Sequence, residues 1–98
     1  GPKRIAALPG VPAIAETVPG FLGDSWHGVL APKGTPQAVI DKLSAALREI
    51  VASDAFRQKL HDLGLIPIGS TPAEFASFLA DDAQAWSKVV AANHIRAE

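Results

Sequence analysis

At 98 residues, with no cysteine and a net charge of −1 from 9 basic and 10 acidic side chains, the chain excludes disulfide scaffolds, thiolate metal sites and the basic stripe that phosphate recognition needs. Its composition, 48% apolar and 19% charged, is that of a globular protein rather than a disordered one, and its length suits one small domain or a piece of a larger one. No apolar run approaches the roughly 20 residues that span a bilayer, and no secretory leader is visible. The opening Gly1-Pro2 has the form of a cleaved-tag remnant and equally of a native start. The missing leader therefore does not fix a compartment, and the absence of cysteine fits both cytoplasm and Gram-negative periplasm.

Residues 1–23 read as loop. Pro9, Gly10, Pro12, Pro19 and Gly20 leave room for about two helical turns, from Pro12 to Thr17. The stretch SWHGVLA, residues 25–31, reads as a short strand. Trp26 and Leu30 fall on one side and Val29 and Ala31 on the other, so a parallel, two-sidedly buried strand is expected.

A helix follows over TPQAVIDKLSAALREIVAS. Thr35 is the expected cap, Pro36 the first helical residue, and Val39, Ile40, Leu43, Ala46, Leu47, Ile50 and Val51 the apolar stripe. A second helix is expected over SDAFRQKLHDLG, capped by Ser53 or Asp54 and ended by Gly64. LIPIG reads as a very short strand whose Pro67 places it at an edge. Thr71 and Glu74 have capping-box spacing around Pro72, and Phe75, Phe78, Leu79, Trp86, Val89 and Val90 form the inner stripe of a last helix reaching about Ala92.

The order strand–helix–helix–short strand–long helix is a crossover arrangement, so the expected class is helix-rich α/β. Two short strands are too few for a stable sheet. The chain is therefore expected to be part of a larger α/β domain, or to complete itself as a homo-oligomer through an exposed strand edge and unfilled helix faces.

The polar cluster GDSWHG, residues 23–28, invites a catalytic reading and does not sustain it. A nucleophile elbow needs G-x-S-x-G after a strand and before a helix. Here the glycines are one residue too far apart and the strand comes after the serine. Asp24, Ser25 and His27 alternate faces in extended backbone, so they form no triad. His27, His61 and His94 lie on different elements with no i,i+4 pair, so no metal site is expected. Asp81 and Asp82 are adjacent on a helix and point apart. PKGTP precedes a helix N-terminus, yet it lacks the phosphate-loop pattern, and Thr35 is expected to satisfy the free N–H groups itself. No catalytic residue and no cofactor emerges. Trp26, beside a glycine-flanked turn, is the better cleft-wall candidate of the two tryptophans, Trp86 sitting within an apolar stripe.

Five segments in order, LPGVPAIAETVPGF, SWHGVLAPKGTP, VIDKLSAAL, LGLIPIGSTPAEFASFL and WSKVVAANHI, together resemble the C-terminal third of the Bug family, the periplasmic solute receptors of tripartite tricarboxylate transporters. The resemblance runs from Lys3 to nearly the end. It implies part of a type II periplasmic-binding-protein lobe, with residues 1–23 a loop-rich segment near the second lobe. Residues 24–98 would supply the returning hinge strand and the helices that complete the first lobe. It further implies a small carboxylate ligand, a membrane permease as partner in the full-length protein, and a periplasmic location. Asp24, Ser25 and Trp26 are the candidate ligand-binding residues on the cleft side of the crossover. Gly10 and Ala13 depart from the aspartate and threonine that members often carry, which removes capping groups from the short turn at Pro12. The rival expectation is a free-standing, self-associating interaction module without ligand.

Overall fold

The computed structural model describes residues 1–97. A single 3-10 turn, Ile14–Glu16, is followed by three helices, α1 (Gln37–Ala52), α2 (Asp54–Asp62) and α3 (Pro72–Ala92). The chain divides into two units, Gly1–Leu30 and a second beginning at Ala31.

The first unit is a chain of turns. Leu8 N–H donates to Ile5 O, Val11 N–H to Leu8 O, Val18 N–H to Ile14 O and Phe21 N–H to Val18 O. The two helical turns expected from Pro12 contract to one. Ala13 holds the N-cap position and has no side-chain oxygen to offer, so half of a capping box is missing. Glu16 supplies the other half, its Oε2 accepting from Ala13 N–H at 2.7 Å. Gly20, at φ 79, turns the chain out of the segment.

The second unit owes its boundaries to local signals. The turn before α1 is closed by Thr35 N–H donating to Pro32 O at 3.2 Å, with Gly34 at φ 87 in its third position. Positive φ at that position is what a type II turn demands of glycine. Thr35 does not cap α1 as the sequence suggests: its hydroxyl donates backward to Pro32 O at 2.6 Å, and Pro36 is the N-cap instead. The first N–H groups of α1 thus have no side-chain acceptor. Ser53 ends α1 and begins α2, but its hydroxyl is committed to Ile50 O at 2.7 Å.

The C-terminal end of α2 is a Schellman motif. Leu65 N–H reaches Leu60 O at 2.8 Å and Gly64 N–H reaches His61 O at 3.0 Å, with Gly64 at φ 74. Helix α3 ends the same way: Ile95 N–H bonds Val90 O and His94 N–H bonds Ala91 O. Here the left-handed residue is His94, at φ 52, which a side chain adopts at a cost. At the other end Thr71 and Glu74 form the expected capping box, Glu74 N–H donating to Thr71 Oγ1 at 3.2 Å around Pro72. Phe75 and Phe78 stack one turn further on, ring centroids 6.3 Å apart.

No strand occurs among the described residues, which corrects the α/β expectation: the observed elements are helical. Residues 25–31 and the LIPIG segment carry no regular structure. A strand exists only through its ladder, and neither segment has a ladder partner here. The expected burial is absent too. None of the described residues is buried; Leu30 is 72% exposed and Ile68 80%. Helices α1 and α2 pack together, and Gly69, at φ 65, lies against the side chain of Val51 at the end of α1. A folded 10.2 kDa monomer exposes about 5,300 Å², whereas this chain exposes 8387 Å². The excess is about 3,000 Å² by that scaling, and apolar side chains expected to be covered, Leu30 and Ile68 among them, are exposed.

Replacing Thr71 with Ala should weaken α3 by about 1 kcal/mol through loss of the cap, and His94→Gly should strengthen it by about 0.5–1 kcal/mol through relief of the left-handed residue. Helix content followed by far-ultraviolet circular dichroism during heating checks both. A His94→Gly chain that melts earlier than the parent contradicts the Schellman assignment.

Candidate functional site

Asp24, Ser25 and Trp26 lie in the first unit, on the irregular stretch between the turn at Gly20 and the boundary at Leu30. No helix or ladder sets their directions. Asp24 Oδ1 takes an ion pair from the Gly1 ammonium at 2.7 Å and remains half-exposed. Ser25 is exposed. Trp26 is 37% exposed, the least of the apolar residues in this stretch. The structure keeps the three residues adjacent in the chain; no enclosed cavity gathers them.

The surface depressions found lie elsewhere. One is lined by Phe56, Lys59 and Asp62 on α2; the other lies between α2 and residues 65–67, with Arg57 and His61 at its edge. Both are open to solvent. Among the described residues no group of three or more His, Asp or Glu side chains is placed to hold a metal ion. His61 lies 3.9 Å from its neighbour Asp62, both well exposed. Among the described residues no helix is long and apolar enough to cross a membrane.

The strongest polar arrangement is one the sequence did not single out. Arg4 and Glu16 form a two-pronged pair: Arg4 Nε–H donates to Glu16 Oε2 at 2.8 Å and Nη2–H to Oε1 at 2.7 Å. Arg4 Nη1–H also donates to Pro9 O at 3.2 Å. One guanidinium thereby ties the start of the chain to the Pro9-Gly10 turn and to the 3-10 turn. Arg4, and then the Ala13 N–H, hold the Glu16 carboxyl below its ordinary range, and Glu16 in return raises the Arg4 guanidinium. Both side chains are exposed, so the pair orders a surface segment and screens readily with salt. Nothing in the sequence marks Arg4 and Glu16, twelve residues apart, as partners.

The described residues thus present helical elements and an open stretch at Asp24, Ser25 and Trp26 with no enclosing walls. A family model described as the tripartite tricarboxylate transporter family receptor matches residues 1–95. The chain belongs to that family, in agreement with the resemblance drawn from its motifs. The family is one of receptors and not of enzymes.

Among curated relatives, the chain is 36% identical over 89 residues to the UPF0065 protein in the tcbD-tcbE intergenic region of Pseudomonas sp. (strain P51), covering 89% of this chain and 26% of that protein. It is 35% identical over 88 residues to protein BugT of Bordetella pertussis, with 89% and 27% covered. It is 31% identical over 81 residues to a UPF0065 protein in the gbd 5' region of Cupriavidus necator, with 83% and 25% covered. The chain thus spans about a quarter of the length of these relatives. No solved structure gives a significant match.

The Arg4–Glu16 pair predicts an acid-sensitive first unit. Because the folded Glu16 value is depressed, the pair contributes fully above the ordinary glutamate value of 4.5 and is lost as pH falls below it. The Arg4 Nε–H resonance should therefore shift and broaden as pH is lowered through that window, and Glu16→Gln should remove the transition. An Nε–H signal indifferent to acid contradicts the pairing.

Proposed function

We propose that the chain is the C-terminal part of an extracytoplasmic, periplasmic solute-binding receptor that captures small carboxylates and presents them to the membrane permease of a tripartite tricarboxylate transporter. The family match over residues 1–95 carries this reading. The exposed apolar surface supports it, since helices finished on one face only are what a piece of a two-lobe α/β protein leaves when its sheet is elsewhere.

In this reading residues 24–98 complete one lobe of a type II binding protein, and residues 1–23 run beside the other. Residues 25–31 become a crossover strand once a neighbouring strand supplies the ladder. Closure of the lobes about that crossover would be the signal to the permease.

Asp24, Ser25 and Trp26 are the proposed ligand contacts. Their chemistry assigns them different parts of the solute. A carboxylate side chain accepts hydrogen bonds, so Asp24 suits a hydroxyl or ammonium on the ligand and repels its carboxylate. Ser25 donates to or accepts from either kind of group, and Trp26 offers an apolar wall with one N–H. Hydroxy- and amino-carboxylates are therefore favoured over plain ones.

The chain alone lacks most of the cleft, so millimolar citrate, malate or glutamate should leave its melting temperature unchanged; a shift of several degrees would contradict the reading. In a receptor completed by its upstream polypeptide, one of these solutes should bind. There Asp24→Ala should weaken binding by about tenfold or more, the loss expected for a hydrogen bond to a charged group. Isothermal titration checks this, and an unchanged affinity in both Asp24→Ala and Trp26→Ala would remove these residues from the site.

A further inference from the structure

The first unit carries an internal frame of its own. Glu16 accepts three hydrogen bonds, two from the Arg4 guanidinium and one from Ala13 N–H. With Nη1–H donating to Pro9 O, all three guanidinium nitrogens of Arg4 are engaged. From the 3-10 turn the order continues along the chain. Val18 N–H donates to Ile14 O at 2.8 Å and Phe21 N–H to Val18 O at 3.1 Å. The Phe21 ring then lies over Gly23: a methyl group on Gly23 would meet two ring carbons at 3.2 Å. The next residue is Asp24. All of these contacts are made within residues 4–23, so none of them depends on which apolar faces of the helices are covered.

We propose that Arg4 is a positioning residue for the candidate solute contacts: through Glu16 it pins the 3-10 turn, and through the Phe21 ring on Gly23 that turn sets where residues 24–26 begin. A neighbouring strand would fix the directions of Asp24, Ser25 and Trp26; the clamp fixes their point of departure. The assignment rests on the reading of these three residues as ligand contacts. Lysine could not stand in for Arg4, because one ammonium offers no fork to span two carboxylate oxygens and a carbonyl at once. A purely electrostatic role would behave differently. Arg4 and Glu16 are of opposite charge, so neutralising each would move the affinity for an anionic solute in opposite directions. A clamp fails in one way, and loss of either partner moves the affinity in the same direction.

Two measurements test the proposal. In the chain itself, Arg4→Gln and Glu16→Gln should shift the backbone amide resonances of Leu22 and Gly23 alike, and the double variant R4Q/E16Q should add little to either. Shifts that stop at Val18 overturn the proposal. The second measurement uses the receptor completed by its upstream polypeptide, titrated with citrate, malate and glutamate well below its melting temperature, where a loss of stability alone leaves affinity unchanged. Each single variant should weaken binding of the solute that the parent takes by about two- to fivefold, the range of one exposed ion pair. The double variant should lose no more than that, and Arg4→Lys nearly as much as Arg4→Gln. Opposite changes in the two single variants, losses that multiply in the double variant, or an unchanged affinity overturn the proposal. A parent receptor that takes none of the three solutes contradicts the carboxylate reading instead, and the Leu22 and Gly23 resonances of the chain still decide whether the clamp sets the start of residues 24–26.

Discussion

Everything in this molecule turns on unmet backbone and apolar partners in two short segments. Residues 25–31 and the LIPIG segment have the composition of strands, and a strand cannot be made by one segment alone. With no ladder among the described residues, nothing holds these segments flat, and nothing gives α1 and α3 a sheet to lie on. The helices still form, because their signals are local: the Thr71–Glu74 capping box, the Gly64 Schellman turn and the 3.6-residue apolar period need no distant partner. The result is sound helical ends around half-exposed helical faces.

The sequence was most legible where chemistry is short-range. The beginning of α3 at Pro72 and its end at Ala92 match expectation, as does the terminating role of Gly64. Legibility fails where a group has a choice of partners. Thr35 was expected to cap α1, yet its hydroxyl finds the nearer Pro32 carbonyl in the Gly34 turn. Ser53 likewise bonds back to Ile50 rather than forward into α2. Arg4 and Glu16 pair across twelve residues, a distance at which sequence spacing carries no geometry. Burial was the largest miss. Trp86 is 47% exposed in a stripe that reads as core, since periodicity identifies the face that seeks cover without supplying the cover.

The candidate ligand residues sit at the same weak point. Asp24, Ser25 and Trp26 belong to the stretch that would be fixed by a ladder, so their directions follow from partners this chain does not contain. A residue list can be read from the order of the motifs, but a site requires walls. Family membership rests on the match over residues 1–95 and needs no such walls. The relatives are about four times as long as the matched stretch.

The most direct measurement of the account is amide hydrogen exchange, residue by residue, over 25–31 and 65–68. In the chain alone these amides should exchange at nearly the rate of an unstructured peptide while those within α1 and α3 are protected. Joined to the upstream receptor polypeptide, Trp26 through Leu30 should become protected by factors typical of a central strand. Strong protection of these amides in the isolated chain would contradict the account, because it would mean that the chain already owns the sheet it is inferred to lack.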